Sequence, residues 1–269
     1  MKISTVRLIL AVVSCGFVFG PFLGGPTYAS QATLNDQGAL QSDGATAAMS
    51  KADAIALLGQ AVAKAEADAA DRYAFTMAYQ ISTDEAETDR KEYVLRFDPR
   101  LAKGEQWELK SPDISELSKK ERKLLRGLQQ DENTPDGVLI YDQLALDEDT
   151  IEITGQTEET VVIEGRSIDT EVPERVREAV ILAITLNKAG AFIEKIQVQA
   201  DKPFKPVRIA KVNEMNQVQT FAAPTDGLPA ILEASESVTR GEAMFKDFYR
   251  GSSTSYSDIV RVPADDITP

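Results

Sequence analysis

The chain has 269 residues, and its 29 Lys and Arg against 43 Asp and Glu give a formal net charge of −14. Such an acidic surface repels phosphate backbones, so we expect no nucleic acid partner. Histidine is absent and Cys15 is the only cysteine, which excludes a Ser-His-Asp triad and a histidine or thiolate zinc site. We therefore expect a protein that is not an enzyme and that holds neither a metal nor a cofactor.

The first 29 residues have the order of a secretory signal peptide. Two cationic residues precede an apolar stretch from Leu8 to Leu23, and small residues lead up to Ala29. We expect cleavage after Ala29 and export to a bacterial periplasm. A retained membrane anchor is one alternative. A lipid anchor on Cys15 is another, because the residues before it loosely resemble a lipoprotein box.

Residues 30–49 are polar with almost no large apolar side chain, which predicts a flexible leader. Ser50 and Asp53 then form a capping box, and Ile55, Leu58 and Val62 follow at helical spacing. This pattern predicts a helix from Ser50 to about Ala70.

Three strands with alternating apolar and polar residues are predicted next. They run from Tyr73 to Ile81, from Tyr93 to Phe97, and through Trp107 and Leu109, and they indicate an antiparallel meander. Their apolar face is either an ordinary core against the first helix or the wall of an apolar ligand cavity. On the second interpretation, the ligand-binding residues are Phe75, Met77, Tyr79, Tyr93, Leu95, Phe97 and Trp107.

A second capping box, Ser118 with Glu121, predicts a short helix that ends near Gln130. This segment also contains the one dense basic patch, formed by Lys119, Lys120, Arg122, Lys123 and Arg126. The patch is either a solvated helix face or a surface for anionic lipid headgroups or an acidic partner. The acidic clusters at 147–149 and 158–159 lack the spacing of a calcium loop and indicate solvated turns.

Further strands are predicted over the rest of the chain. Residues 202–206 indicate a turn, because two prolines remove hydrogen-bond donors. The last forty residues predict two or three more strands. The predicted strands are 150–154, 160–165, 180–186, 192–199, 208–213, 217–222 and, most clearly near the end, 257–262.

The predicted fold is one α+β domain over residues 50–262, with a tail at 263–269. We expect a long, strongly curved antiparallel sheet, a half-barrel, with helices packed in its concave face.

The segment from Trp107 to Asp113 resembles the Trp-x-x-x-Ser-Pro-Asp segment of the periplasmic lipoprotein carriers, the half-barrel family of LolA and LolB. Pro99 precedes it as a proline does in those carriers, and Phe221 with Pro224 resembles their late Phe-x-x-Pro strand end. The resemblance implies a curved sheet with a lidded hydrophobic concavity. Asp98 departs from the pattern, because the carriers have at that position an arginine that contacts the lid.

These observations favour a non-enzymatic periplasmic protein of the lipoprotein-carrier type. It would bind an acyl chain, a lipid or a lipoprotein segment between sheet and helix, with a lipid or lipidated protein as its partner. One alternative is a structural or accessory envelope protein with a filled core and a protein partner. Another is a carboxylate-dependent hydrolase. The sequence leaves the oligomeric state open.

Overall fold

The computed structural model describes residues 48–68, 72–102, 104–119, 121–123, 126, 146–169, 172–225 and 228–267. The predicted signal peptide, most of the predicted leader, residues 69–70 of the predicted first helix, and residues 120, 124–125 and 127–130 of the predicted second helix lie outside the described residues. Within the described part of the chain, no helix is both long enough and apolar enough to cross a membrane.

Eleven strands, each antiparallel to its neighbours, form one open sheet. In chain order they are β1 (Arg72–Ser82), β2 (Lys91–Phe97), β3 (Trp107–Ser111), β4 (Glu152–Gln156), β5 (Thr160–Gly165), β6 (Val180–Asn187), β7 (Phe192–Ala200), β8 (Phe204–Val207), β9 (Ala210–Ala222), β10 (Ile231–Ala243) and β11 (Lys246–Val262). The order across the sheet is β3-β2-β1-β11-β10-β9-β7-β6-β5-β4, and β8 pairs with β9 beside this path. Among the described strands, β3 and β4 therefore lie at the two edges of the sheet.

The predicted antiparallel sheet and its β1–β2–β3 meander are confirmed. The two late strands are long, with 13 residues in β10 and 17 in β11, and together they form a hairpin. The strong curvature of the sheet, and the position of helices in a concave face, stay predictions.

The prediction of two strands at 208–213 and 217–222 is wrong, because both segments belong to the single strand β9. The polar residues between them suggested a break. In the structure, however, Glu214, Met215 and Asn216 pair with consecutive residues of β10. Glu214 is exposed and Asn216 is half buried, so both polar side chains reach solvent, whereas Met215 is buried in the core.

The turn predicted at residues 202–206 is wrong in part, because Phe204–Val207 forms the short strand β8. Phe204 pairs with Val212, and Val207 pairs with Ala210. Pro206 has no N–H to donate, and it fits because β8 pairs with one neighbour only. A short helix that the sequence did not predict, α2 (Glu174–Arg177), lies between β5 and β6.

The predicted first helix is confirmed as α1 (Lys51–Asp68). At its start, the Asp53 N–H donates to the Ser50 hydroxyl at 3.2 Å, and this hydroxyl donates to the Asp53 carboxylate at 2.7 Å. The helix packs against β7 and β4. Its buried side chains are Ala54, Leu57, Leu58, Ala61 and Ala65. Because three of these five are alanines, the helix backbone can approach the sheet closely.

Alanine substitutions at two glycines should change the stability of the protein in opposite directions. Gly59 is exposed within α1, and a Cβ there would meet nothing within 4 Å. Gly59→Ala should therefore stabilise the protein by about 0.5–1 kcal/mol, because alanine loses less backbone entropy in a helix. A Cβ at Gly241 in β10 would collide with the backbone carbonyl of Lys211 and lie 2.9 Å from the Phe248 ring. Gly241→Ala should thus destabilise it by at least about 1–3 kcal/mol.

Urea unfolding of the two variants beside the wild type measures both changes. Equal stability of the Gly241 variant and the wild type would show that β10 does not approach β9 as closely as described.

Candidate ligand-binding face

One row of paired residues crosses the sheet and shows how the character of its packed face changes. Residues that are directly paired on neighbouring antiparallel strands point to the same face. From β2 to β4 the row is Tyr93, Tyr79, Thr254, Ser235, Gln219, Ile196, Ile184, Ile163 and Ile153. Along this row the face is therefore aromatic at β1 and β2, polar across β9 to β11, and aliphatic from β7 to β4.

The aliphatic part of the face is filled core. Ile163 and Ile184 are 0% exposed and Ile196 is 1% exposed. They belong to the same hydrophobic cluster as the buried face of α1. Complete burial of this kind leaves no side-chain surface for a ligand, so we assign this part of the face to stability.

The aromatic part is also packed at the end near Phe75. The ring centroids of Phe75 and Phe97 are 5.2 Å apart, and the Trp107 ring lies 4.9 Å from Phe97 and 5.7 Å from Phe75. Tyr256 of β11 packs edge-on against Phe75 at 5.5 Å. Of the seven residues predicted to bind a ligand, Phe75, Leu95, Phe97 and Trp107 are buried in this cluster.

The other three predicted residues, Met77, Tyr79 and Tyr93, are only half buried. Tyr79 and Tyr93 stack with ring centroids 6.3 Å apart and an interplanar angle of 27°. Tyr256 pairs directly with Met77 and is half buried as well. These four residues, the aromatic shelf, form the accessible edge of the aromatic cluster.

Beside the aromatic shelf lies a set of half-buried polar side chains that sequence reasoning missed. They lie on the same face of the sheet as Tyr79, because each of them belongs to a row of directly paired residues that reaches β1 on that face. We call this set the polar stripe, and its members are Gln217, Gln219, Ser235, Ser237, Ser252 and Thr254. Their period-two spacing is regular, but serine, threonine and glutamine give no apolar alternation by which a strand face could be recognised.

The second capping box fixes a short helical segment to the aromatic shelf. As predicted, the Ser118 N–H donates to the Glu121 carboxylate at 2.7 Å, and the Glu121 N–H donates to the Ser118 hydroxyl at 3.3 Å. The same carboxylate accepts a hydrogen bond from the Tyr93 hydroxyl at 2.6 Å and pairs with the Lys91 ammonium at 2.7 Å. Glu121 therefore joins this segment to β2.

Electrostatics at this junction follow from the same contacts. The Lys91 ammonium, followed by Ser118 and Tyr93, holds the pKa of the Glu121 carboxyl far below its usual range. Burial, together with the hydrogen bond to Glu121, raises the pKa of the Tyr93 hydroxyl well above its ordinary value. At neutral pH the contact is thus one between a charged carboxylate and a neutral phenol.

Asp98, which departs from the carrier pattern, forms an ion pair with Arg100 of 2.6 Å at the end of β2. Arg96 instead reaches the backbone carbonyl of Asp258 at 3.2 Å.

A small cleft lies between the end of α1 and the start of β7. Its walls are Ala61, Lys64, Ala65, Phe192, Pro224, Pro229 and Ala230. Its interior has room for about one water molecule, which is too small for an acyl chain. No group of His, Cys, Asp and Glu side chains among the described residues has an arrangement that could hold a metal ion.

The described part of the chain is thus an open antiparallel sheet with one packed helix and a half-covered face. No protein-family model and no curated protein matches its sequence. Among solved structures, it is similar to the LolA superfamily protein NE2245 from Nitrosomonas europaea, at 12% identity and a TM-score of 0.34, over 80% of this chain and 97% of that chain.

The Glu121 junction predicts a stability that depends on pH. Because the pKa of Glu121 is lowered in the folded state, its contribution is complete above the pKa of about 4.3 in the unfolded chain. The contribution is lost as the pH falls below that value. Glu121→Gln should cost about 1–3 kcal/mol at pH 7, since a charged hydrogen-bond network is removed.

Urea unfolding of the wild type and the variant between pH 7 and pH 3 measures the difference, which should shrink as the pH falls. Glu116→Gln, at a nearby exposed carboxylate, is the matched control and should change little. A cost for Glu121→Gln that stays constant over this range would contradict the assigned contacts.

Proposed function

We propose that the protein is a non-enzymatic binding protein of the periplasm, and that it holds an acyl chain, a lipid or the lipidated segment of a lipoprotein along this face of the sheet. One observation carries the proposal: half-buried Met77, Tyr79, Tyr93 and Tyr256 lie directly beside half-buried hydroxyl and amide side chains on β9 to β11. Apolar surface next to hydrogen-bonding groups matches the two parts of an amphiphile.

The aromatic shelf would contact the acyl chain. Each methylene removed from water contributes about 0.8 kcal/mol, so about ten methylenes with half their surface covered contribute about 4 kcal/mol. This value alone corresponds to a dissociation constant of about 1 mM. Tyr79 and Tyr93 suit this role, since each provides a flat apolar ring and keeps a hydroxyl for water or a headgroup.

The polar stripe would hold the polar part of the ligand. Thr254 pairs with Tyr79 on one side and with Ser235 on the other, and it shares β11 with Tyr256, so the hydroxyl groups of the polar stripe begin directly beside the aromatic shelf. Hydroxyls and amides both donate and accept hydrogen bonds, and each contributes about 0.5–1.5 kcal/mol with a suitable partner. Together the two regions raise the expected affinity into the micromolar range.

A second function, a structural or accessory role in the envelope with a protein partner, is favoured by a different observation. Phe75, Phe97 and Trp107 fill the space between their strands and are at most 7% exposed. A filled core of this kind stabilises a scaffold and needs no ligand. The two functions differ in what happens at the half-buried residues, and the following experiment separates them.

Titration of lysophosphatidylcholine or a fatty acid, below its micelle concentration, against the purified protein tests the proposal. We expect saturable heat by calorimetry, and a rise in melting temperature, because a ligand that prefers the folded state stabilises it. Tyr79→Ser should weaken binding about tenfold, equivalent to about 1.4 kcal/mol, with little change in stability. Phe75→Ala should cost about 3–5 kcal/mol of stability and leave the affinity of the folded protein nearly unchanged.

Val260→Ser is the matched control, because Val260 is 53% exposed on β11 and pairs with Ala74. Ala74 lies on the opposite face of β1 from Phe75, so this variant should bind as the wild type does. If no amphiphile binds, or if Tyr79→Ser and Val260→Ser weaken binding equally, the binding function is wrong and the structural role replaces it.

A further inference from the structure

The hairpin between β10 and β11 ends in two large apolar residues at its tip. Relative to a fully exposed residue, Met244 is 59% and Phe245 is 104% exposed. The Met244 N–H donates to the Ile209 carbonyl at 3.0 Å, which brings the turn between β8 and β9 against this tip. Ile209 in that turn is 55% exposed, and Val207, the last residue of β8, is 39% exposed. We call these four residues the apolar tip.

The backbone of the hairpin tip is unusual for the residues it carries. Met244 has a φ of 49° and Phe245 has a φ of 64°, so both occupy the left-handed region. Two-residue hairpin turns of this kind favour Asn-Gly, because large side chains are strained at positive φ. Folding alone would thus favour small or polar residues at 244 and 245, and the apolar pair indicates a function for these side chains.

The apolar tip projects beyond the neighbouring strand β1. The pairing of β1 with β11 ends at Ser82 and Gly251, whereas the pairing of β10 with β11 continues to Ala243 and Lys246. At about 3.3 Å per residue, the last three residues of β10 extend the hairpin by about 10 Å past Arg240. Arg240 anchors its base through ion pairs of 2.6 Å with Glu85 and with Glu214.

The charges around the apolar tip differ from those of the chain as a whole. Over residues 205–211 and 242–247, the cations are Lys205, Arg208, Lys211 and Lys246, and the acids are Glu242 and Asp247. This excess of positive charge lies on a chain with a formal net charge of −14. Exposed apolar side chains beside an excess of cations complement a membrane interface with anionic headgroups.

We propose that the apolar tip docks the protein reversibly on an anionic lipid membrane. Phe245 and Met244 enter the boundary between headgroups and acyl chains, and Lys246 and Arg208 contact the anionic headgroups. The rigid hairpin base at Arg240 holds the tip in place, so docking needs no change in the sheet. This surface is distinct from the aromatic shelf, and it does not depend on the proposed ligand.

Sedimentation with vesicles tests this proposal, using the exported form of the protein. We expect binding to vesicles of phosphatidylcholine with phosphatidylglycerol, weaker binding to phosphatidylcholine alone, and a further loss at high salt. Phe245→Ser should reduce binding to the anionic vesicles at least about tenfold, whereas Val260→Ser, at an exposed apolar residue away from the tip, should not.

Two further variants separate membrane contact from folding and from charge. The double variant Met244→Asn with Phe245→Gly should abolish vesicle binding and yet melt at the same or a higher temperature, because it suits the turn. Arg208→Gln with Lys246→Gln should weaken binding to anionic vesicles and leave binding to phosphatidylcholine unchanged.

Failure of the wild type to bind anionic vesicles, or equal binding by Phe245→Ser, would overturn the proposal. Loss of contact with an envelope protein in Phe245→Ser, with vesicle binding intact, would also overturn it and assign the tip to a protein partner. Lysolipid titration should give the same affinity for Phe245→Ser and the wild type. The titration therefore reports on the aromatic shelf independently of docking.

Discussion

Strand register is the constraint on which the rest of this structure depends. Side chains alternate between the two faces of a strand, so a slip of one residue would turn every apolar residue of that strand away from the core. The row from Tyr93 to Ile153 keeps one face from β2 to β4, and the register shifts in several of these strand pairs lie outside this row. With the register in place, the residues on each strand decide which part of the face is filled core and which part stays accessible. The isoleucines of β5 to β7 close one part against α1.

Both proposed surfaces arise from the composition and length of the late strands. On the packed face, the middle of β9 to β11 carries glutamine, serine and threonine, which bring less apolar surface against the aromatic shelf than large apolar side chains would. The aromatic shelf and the polar stripe are half exposed for that reason. Because β10 and β11 also continue past the end of β1, they carry Met244 and Phe245 beyond β1 and beside the turn between β8 and β9. One hairpin thus contributes both to the candidate ligand face and to the apolar tip.

Local patterns in the sequence predicted the elements whose signals are local. The capping residues Ser50 and Ser118 marked helix starts, and strict alternation marked β1 and β2. Alternation identifies a face, but it does not tell how deeply each position is buried. It could not separate buried Phe75 from half-buried Tyr79, because their burial depends on which strands and side chains lie next to them. Polar residues within β9 suggested a break in the strand. The residues of β10 that pair with them are distant in sequence, so no local pattern could show that the strand continues. The hairpin tip at Met244 contains no Gly or Asn, so nothing local predicted a turn there.

The central claim is that the aromatic shelf and the polar stripe together hold an amphiphile, and covalent mapping tests it most directly. A fatty acid with a photoreactive diazirine in its chain would be bound to the protein without residues 1–29, below its micelle concentration, irradiated, and located by mass spectrometry of peptides. We predict labelling on the peptides that carry Met77, Tyr79, Tyr93 and Tyr256, and competition by an excess of unlabelled lysolipid. Labelling that falls on the hairpin tip alone, or that excess lysolipid does not reduce, would contradict the claim.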